Sequence, residues 1–341
     1  MSSPTVKQIA QEYPPANEKA DSEELAQRLI AKINADYPDG LMRRDAHPKM
    51  HGLVKAEFII EPDLPPELAV GLFKHAKTYP AWIRFSNQNG TPQSDAKGDI
   101  RGMAIKLMGV PGEKLMEESP HASTHDFLLI SAPVLVTADI AEFLKLVKAL
   151  TGNIVSMGWF FATHLRATYN LLSAMKKASN PLHLRYWSTT PYLFGAGRAV
   201  KYSALPLVTV ADPVPTNGSD NLLREAMVKH LAKNGASFDF CVQFQLDADK
   251  MPIEDAGMLW DEKESPFHKV ATIRIAPQQF NNAARDQYGE NLSFIPWHAL
   301  AEHRPLGGVN RGRKIVYQAV SKFRHARNTA PRVEPDDYEI D

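Results

Sequence analysis

Cysteine is nearly absent from this 341-residue chain. The one thiol, Cys241, excludes an intramolecular disulfide framework and fits a reducing compartment. Net charge is absent too: Lys plus Arg and Asp plus Glu each number 39, so no overall field favours nucleic acid or an acidic surface. There is no long uninterrupted apolar run. The most apolar stretch, "NIVSMGWFFATHLRATYNLL", is broken by His164 and Arg166, which argues against a membrane span. The opening residues, "MSSPTVKQIAQEYPP", lack the basic region and apolar segment of a secretory leader. No H-E-x-x-H motif and no internal repeat occur. These absences predict a soluble, cytoplasmic protein, long enough for one large or two ordinary domains.

Short alternating segments spread over the chain are what is there. Residues 1–20 are polar and Pro-bearing, an expected arm, and "DSEELAQRLIAKINADYP" is an expected helix stopping before Pro38. "VKAEFII", "AWIRFSN", "GMAIKLMGV", "DFLLIS", "AVKYSALPLV", "SFDFCVQFQL" and "HKVATIRIAP" read as strands. Helices are expected at 64–77, near 137–150, over 154–178, at 220–234 and at 310–328. The strands are irregularly spaced, so regular α/β alternation fits poorly. An α+β fold, an antiparallel sheet or barrel with helical additions, fits better.

The last helix carries the densest chemistry. At about 100° per residue, Arg313, Tyr317 and Arg324 fall within an arc of roughly 40°. Val316, Val320 and Phe323 form the adjoining apolar stripe. By spacing alone this strip is either a tyrosine at a core edge between solvated arginines or an anionic-ligand site. In the second case, a guanidinium one turn from a phenol favours phenolate. A phenolate can ligate haem iron, and an arginine further along can pair with a propionate.

"RKIVYQAVSKFR", with R-x-x-x-Y and a further Arg seven residues on, resembles the proximal helix of haem catalases. "RDAHPKMHG" (Arg44, His47, Lys49, Gly52) resembles their distal segment. "RFSN" (Arg84, Phe85, Ser86) is similar to their R-F-S strand, and "DIRGMAIKL" (Asp99, Arg101, Gly102, Ala104, Lys106) to their R-G-x-A-x-K strand. These motifs run in the family's order over residues 44–324. The chain is shorter than a typical catalase, which points to the small catalase-related, peroxidase-like branch. The resemblance implies an arm and helix over 1–40, a haem domain over 41–328 and an acidic tail over 329–341. Its fold would be a catalase-core-like antiparallel β-barrel with surrounding helices, and haem b buried between barrel and C-terminal helix.

The resemblance also implies roles. Tyr317 would be the axial ligand of iron, and Arg313 its charged neighbour. Arg44, Arg84 and Arg324 would neutralise the propionates. His47 would be the distal base, with Ser86 fixing its tautomer. Thr124 of "THDFLLI" stands where the family carries a distal Asn, which shifts the expectation from peroxide disproportionation towards peroxidase chemistry. The implied partners are hydrogen peroxide or an organic hydroperoxide, an unidentified electron donor and a second copy of the chain. An alternative is a fatty-acid hydroperoxide dehydratase or isomerase of the allene oxide synthase kind. A non-enzymatic alternative is a nucleic-acid or partner-binding domain using the basic helix 311–327. The i, i+4 pairs His47/His51 and His121/His125 are not expected to bind zinc, because Pro48 and the strand pattern disfavour a helix at the first. His51 is expected to be an ordinary polar residue, Arg101 and Lys106 to serve local salt bridges, and Cys241 to be inert core.

Overall fold

Alternation of apolar and polar residues puts one face of each strand in a core, and eight such strands close on themselves. The computed structural model describes residues 7–208, 219–332 and 334–338. Its strands are β1 (Met50–Ile60), β2 (Thr78–Asn87), β3 (Arg101–Leu107), β4 (His125–Ile130), β5 (Tyr186–Trp187), β6 (Tyr192–Leu193), β7 (Ala199–Pro206), β8 (Ala236–Phe244) and β9 (Phe267–Ile275). The ring runs β5–β4–β3–β2–β1–β9–β8–β7 and returns to β5, all antiparallel, with β6 paired onto β7. Closure removes exposed edges from the ring. It is thinnest beside β5: a single pair, Ile130↔Trp187, joins β4 to β5, and two pairs join β5 to β7. The expected antiparallel barrel is therefore present.

Inside the ring lie Val54, Phe58, Ile83, Phe85, Phe127 and Phe240 with their neighbours. Phe127 and Phe240 have ring centroids 4.8 Å apart. Outside lie α1 (Glu18–Asp36), α2 (Ile140–Leu150), α3 (Ile154–Thr163), α4 (Leu165–Ala174), α5 (Leu222–Leu231), α6 (Ala283–Asn291) and α7 (Gly308–Arg327). Leu25 and Leu29 of α1, Ile140 and Leu144 of α2, and Val316 of α7 share a second apolar cluster. That cluster holds α7 against the other two helices.

Three local expectations are corrected. Residues 64–77 do not form a helix. Pro65, Pro66 and a left-handed Gly71 (φ 53°) leave only a three-residue 3₁₀ turn, Gly71–Phe73, whose Leu72 and Phe73 enter the barrel core. The helix over 154–178 is two helices, broken at His164 (ψ 65°), whose ring stacks on Phe160. Helix α6 and the short strands β5 and β6 lie where no element was expected. Of the arm and tail, residues 1–6, 333 and 339–341 lie outside the described residues. What is described of both is anchored on the body: Glu12 pairs with Arg304 at 2.6 Å, and the Tyr338 hydroxyl donates to the Ala56 carbonyl while accepting from the Ala81 amide.

Burial keeps several imidazoles neutral. His303 is held at about 4 and His125 well below its ordinary value, both by burial first. Nε2 of His303 accepts the Leu72 amide at 3.0 Å, a role that an imidazolium cannot fill. The unfolded chain protonates these groups as pH falls through about 6.5, whereas the folded chain does not until a lower pH. Stability is therefore full above about 6.5 and is lost progressively as pH falls towards 4. Melting temperatures across that window will fall with pH, and His303→Gln will flatten the dependence.

Candidate active site

The strand face that points away from the barrel core is also occupied. On β2, Ile83 and Phe85 face inward, so Arg84 and Ser86 face outward. Across the ladder, Arg84 lies opposite Ala104 and Ser86 opposite Gly102. Helix α7 covers this outer face and leaves a cavity of about 180 Å³ between the two. Arg44, His47, Arg84, Ser86, Arg313, Tyr317 and Arg324 all line it. Leu128 and Ile130 of β4, Phe294, Ile295, Val316 and Val320 supply apolar wall.

His47 precedes β1 in the left-handed region (φ 62°), with its amide donating to the Gln88 carbonyl at 3.2 Å. Nδ1 lies 2.9 Å from the Ser86 hydroxyl. When Nδ1 carries the proton and donates to Ser86, Nε2 is left as the basic nitrogen. Burial, then the charges of Arg84, Arg313 and Arg44, pushes His47 down to about 3. The ring is thus a neutral acceptor over the ordinary pH range. It rests on Gly102, where a Cβ would stand 2.5 Å from Nδ1. Gly102→Ala will displace the imidazole and break its contact with Ser86, with a stability loss of about 1–3 kcal/mol. A denaturant melt, together with the imidazole NMR signal of His47, checks both.

Three guanidiniums surround one carboxylate. Arg44, Arg84 and Arg324 approach Glu290 of α6 at 3.5, 3.8 and 3.7 Å, all longer than hydrogen bonds. Arg44 also donates to the carbonyls of Gly289 and Leu292, and Arg324 to that of Glu290. Nε and Nη2 of Arg84 are buried with no hydrogen-bond partner among the described residues. Burial first, and then the positive neighbours, pushes Arg84 well below its ordinary value and Arg324 down to about 9. Three positive charges against one negative leave the cluster two charges short of neutrality. Buried charge without a partner is costly, so this arrangement suits a ligand carrying two negative groups.

On α7, Arg313 donates to the Thr190 hydroxyl and the Asn310 side-chain carbonyl, both at 3.2 Å, one helical turn before Tyr317. The Tyr317 hydroxyl makes no hydrogen bond to the described residues. A phenol and an imidazole therefore reach one cavity from facing walls, with unmatched positive charge at its side.

Thr124 is not brought to this cavity. It is fully buried, and its hydroxyl donates to the Glu334 carboxylate at 2.8 Å, beside the Lys106–Asp126 pair. The pull of Glu334 and the start of β4 at His125 turn it away from His47. Lys106 does serve a local salt bridge, also to Glu334. Arg101 makes none among the described residues: it donates to Asn87 and to the carbonyls of Asp95 and Lys97. His51 is buried in the same network, with Nε2 2.6 Å from the Asn87 side-chain oxygen. His125 packs on Phe127 inside the barrel, and no metal-holding group of His, Cys, Asp and Glu occurs among the described residues. Cys241 is buried.

The residues missed in sequence are those that arrive through space. Glu290 sits in a helix that was not anticipated, and nothing in its flanks marks it. Phe294 and Ile295 follow it in a loop. Only the outward alternation of "DFLLIS" could have pointed to Leu128 and Ile130.

No protein-family model and no curated protein matches the sequence. Among solved structures, the chain is similar to a fungal catalase (TM-score 0.66, 16% identity, 100% of this chain and 68% of that one). It is also similar to catalase A from Saccharomyces cerevisiae (TM-score 0.69, 16% identity, 95% of this chain and 68% of that one). A bacterial catalase aligns with a TM-score of 0.66 and 16% identity over 100% of this chain and 67% of that one. The chain has the catalase core fold. At this identity the likeness carries the fold alone.

Proposed function

We propose that this cavity binds haem and that the protein is a hydroperoxide-consuming oxidoreductase, acting chiefly as a peroxidase. The observation that carries the reading is that Arg44, Arg84 and Arg324 line the same cavity as Tyr317 and His47 while sharing the single carboxylate of Glu290 behind it. A planar macrocycle with two carboxylates and an apolar body matches this set: guanidiniums at one side, aliphatic and aromatic walls, and one phenol from α7. Tyr317 would hold the iron, with Arg313 one helical turn before it on the same helix. The three arginines would hold the propionates.

Bound haem supplies the redox chemistry of peroxide cleavage. The chain's own part is proton handling. His47 Nε2 takes the proton of the incoming hydroperoxide and returns it to the leaving oxygen, which departs as water or an alcohol. Ser86 at Nδ1 keeps Nε2 in the accepting state, and the depressed basicity of the imidazole keeps it unprotonated before substrate arrives. No Asn or Gln lines the cavity among the described residues, so a second hydrogen peroxide meets no amide there. That favours reduction by an external donor over disproportionation. The aliphatic wall of Leu128, Ile130 and Ile295 also favours organic over inorganic hydroperoxide. It leaves the fatty-acid hydroperoxide dehydratase as a second reading, one that needs no donor.

The absorption spectrum of the purified protein reconstituted with haem tests the reading: a Soret band with tyrosinate charge-transfer features is expected. Absence of stoichiometric haem binding overturns it. Turnover of cumene and fatty-acid hydroperoxides with and without a reducing dye then separates the two enzyme readings.

A further inference from the structure

Helices α3 and α4 are amphipathic in reverse. Ile154, Val155, Trp159, Leu165, Tyr169 and Leu172 are between 70 and 78% exposed. On α4 the exposed Leu165, Tyr169 and Leu172 recur at i, i+4, i+7, while the smaller Ala167, Asn170 and Ala174 face the body. On α3 the one buried residue is Phe160, which joins Ala167 and Leu146 in a small cluster beneath the pair. Most of the large apolar side chains of both helices thus face outward, forming a patch of a kind that monomeric surfaces rarely leave without a purpose.

The unpaired charge around the patch has one sign. Between Glu142 and Asp212 the sequence has no acidic residue and eight Lys or Arg. Three of these are neutralised from elsewhere: Lys148 by Glu24 at 2.9 Å, Arg166 by Asp255 at 2.8 Å and Arg185 by Glu262 at 3.0 Å. Lys145 on α2, and Lys176 and Lys177 just past the end of α4, are exposed and pair with no carboxylate among the described residues.

We propose that the α3–α4 hairpin docks on an anionic phospholipid surface. It would lie in the plane of the interface, with Ile154, Val155, Leu165 and Leu172 among the acyl chains and Lys176 and Lys177 at the headgroups. Trp159 and Tyr169 suit the boundary between the two. Neither helix spans a bilayer: each has 10 residues, about 15 Å. A second copy is the poorer occupant, because a two-fold contact sets the same unpaired lysines against each other. This inference is independent of what the cavity binds.

The test is co-sedimentation of the full chain with vesicles of phosphatidylcholine, alone or mixed with phosphatidylglycerol. Binding is expected on the mixed vesicles, weakened by salt, with Trp159 fluorescence quenched by acyl-brominated lipid. Lys176→Gln with Lys177→Gln should lower partitioning about thirtyfold, and Trp159→Ser with Leu172→Ser should abolish it. No binding of the unmodified chain to the mixed vesicles overturns the proposal. So does a dimer in solution that binds no vesicles and that Trp159→Ser with Leu172→Ser converts to monomer, since a second copy then covers the face. Lipid quenching that persists in Trp159→Phe overturns the assigned orientation and the proposal with it.

Discussion

Tyr317→Phe will yield a folded protein that retains at least about tenfold less haem than the parent, a loss of 1.4 kcal/mol or more in binding. The substitution removes one oxygen and leaves the ring. Tyr317 is partly buried at the edge of the apolar cluster of α1, α2 and α7, and its hydroxyl makes no hydrogen bond to the described residues, so the fold loses no contact. What is lost is the one phenol lining the cavity among the described residues, and with it the proposed anionic donor to iron. The three arginines remain, so weak, poorly ligated binding through the propionates persists. Circular dichroism should be unchanged, while the Soret band broadens and shifts and its charge-transfer features disappear. A variant with full haem content and an unaltered spectrum would show that iron is held elsewhere and that the proximal assignment is wrong.

His47→Ala will keep the haem and lower hydroperoxide turnover by about two to four orders of magnitude, the span of positioned acid–base catalysis. In the proposed mechanism Nε2 moves the proton from one peroxide oxygen to the other. The effect belongs on the reaction with peroxide and not on the later step with the reducing dye, so transient kinetics separates a base from a merely structural residue. Because His47 is held at about 3, the parent's rate of peroxide reaction should stay level down to mildly acidic pH. His51→Ala is the control. It disturbs the buried Asn87–Asp95 network and lowers stability, but leaves the rate per folded molecule nearly unchanged. Equal rates in the parent and the His47 variant would remove the imidazole from the chemistry.

The outward strip of the site was legible because it is local. Alternation on "AWIRFSN" puts Arg84 and Ser86 on one face, and the helical period of "RKIVYQAVSKFR" puts Arg313, Tyr317 and Arg324 on another. Each is a short-range periodicity. Glu290 was not legible, because its significance lies in three arginines that reach it from a loop, a strand and another helix. Thr124 was misplaced for a similar reason. It sits just before β4, and its hydroxyl is held by Glu334, more than two hundred residues away in sequence. The helix expected over 64–77 fails on local grounds visible in the sequence, Pro65, Pro66 and the left-handed Gly71.

The short seam of the barrel bears on how a large ligand arrives. The ring is joined at β5 by one pair to β4 and two to β7, and the seam borders the cavity, because Ile130, Ser188 and Thr189 all line it. Opening there costs few hydrogen bonds, whereas parting β1 from β2 would break a ladder along nearly their whole length. Amide deuteration will therefore reach Trp187 well before Phe58 or Ile83. If the cavity takes the flat ligand proposed for it, the wall beside that ligand parts most easily at this seam, and the aromatic core of the barrel stays closed.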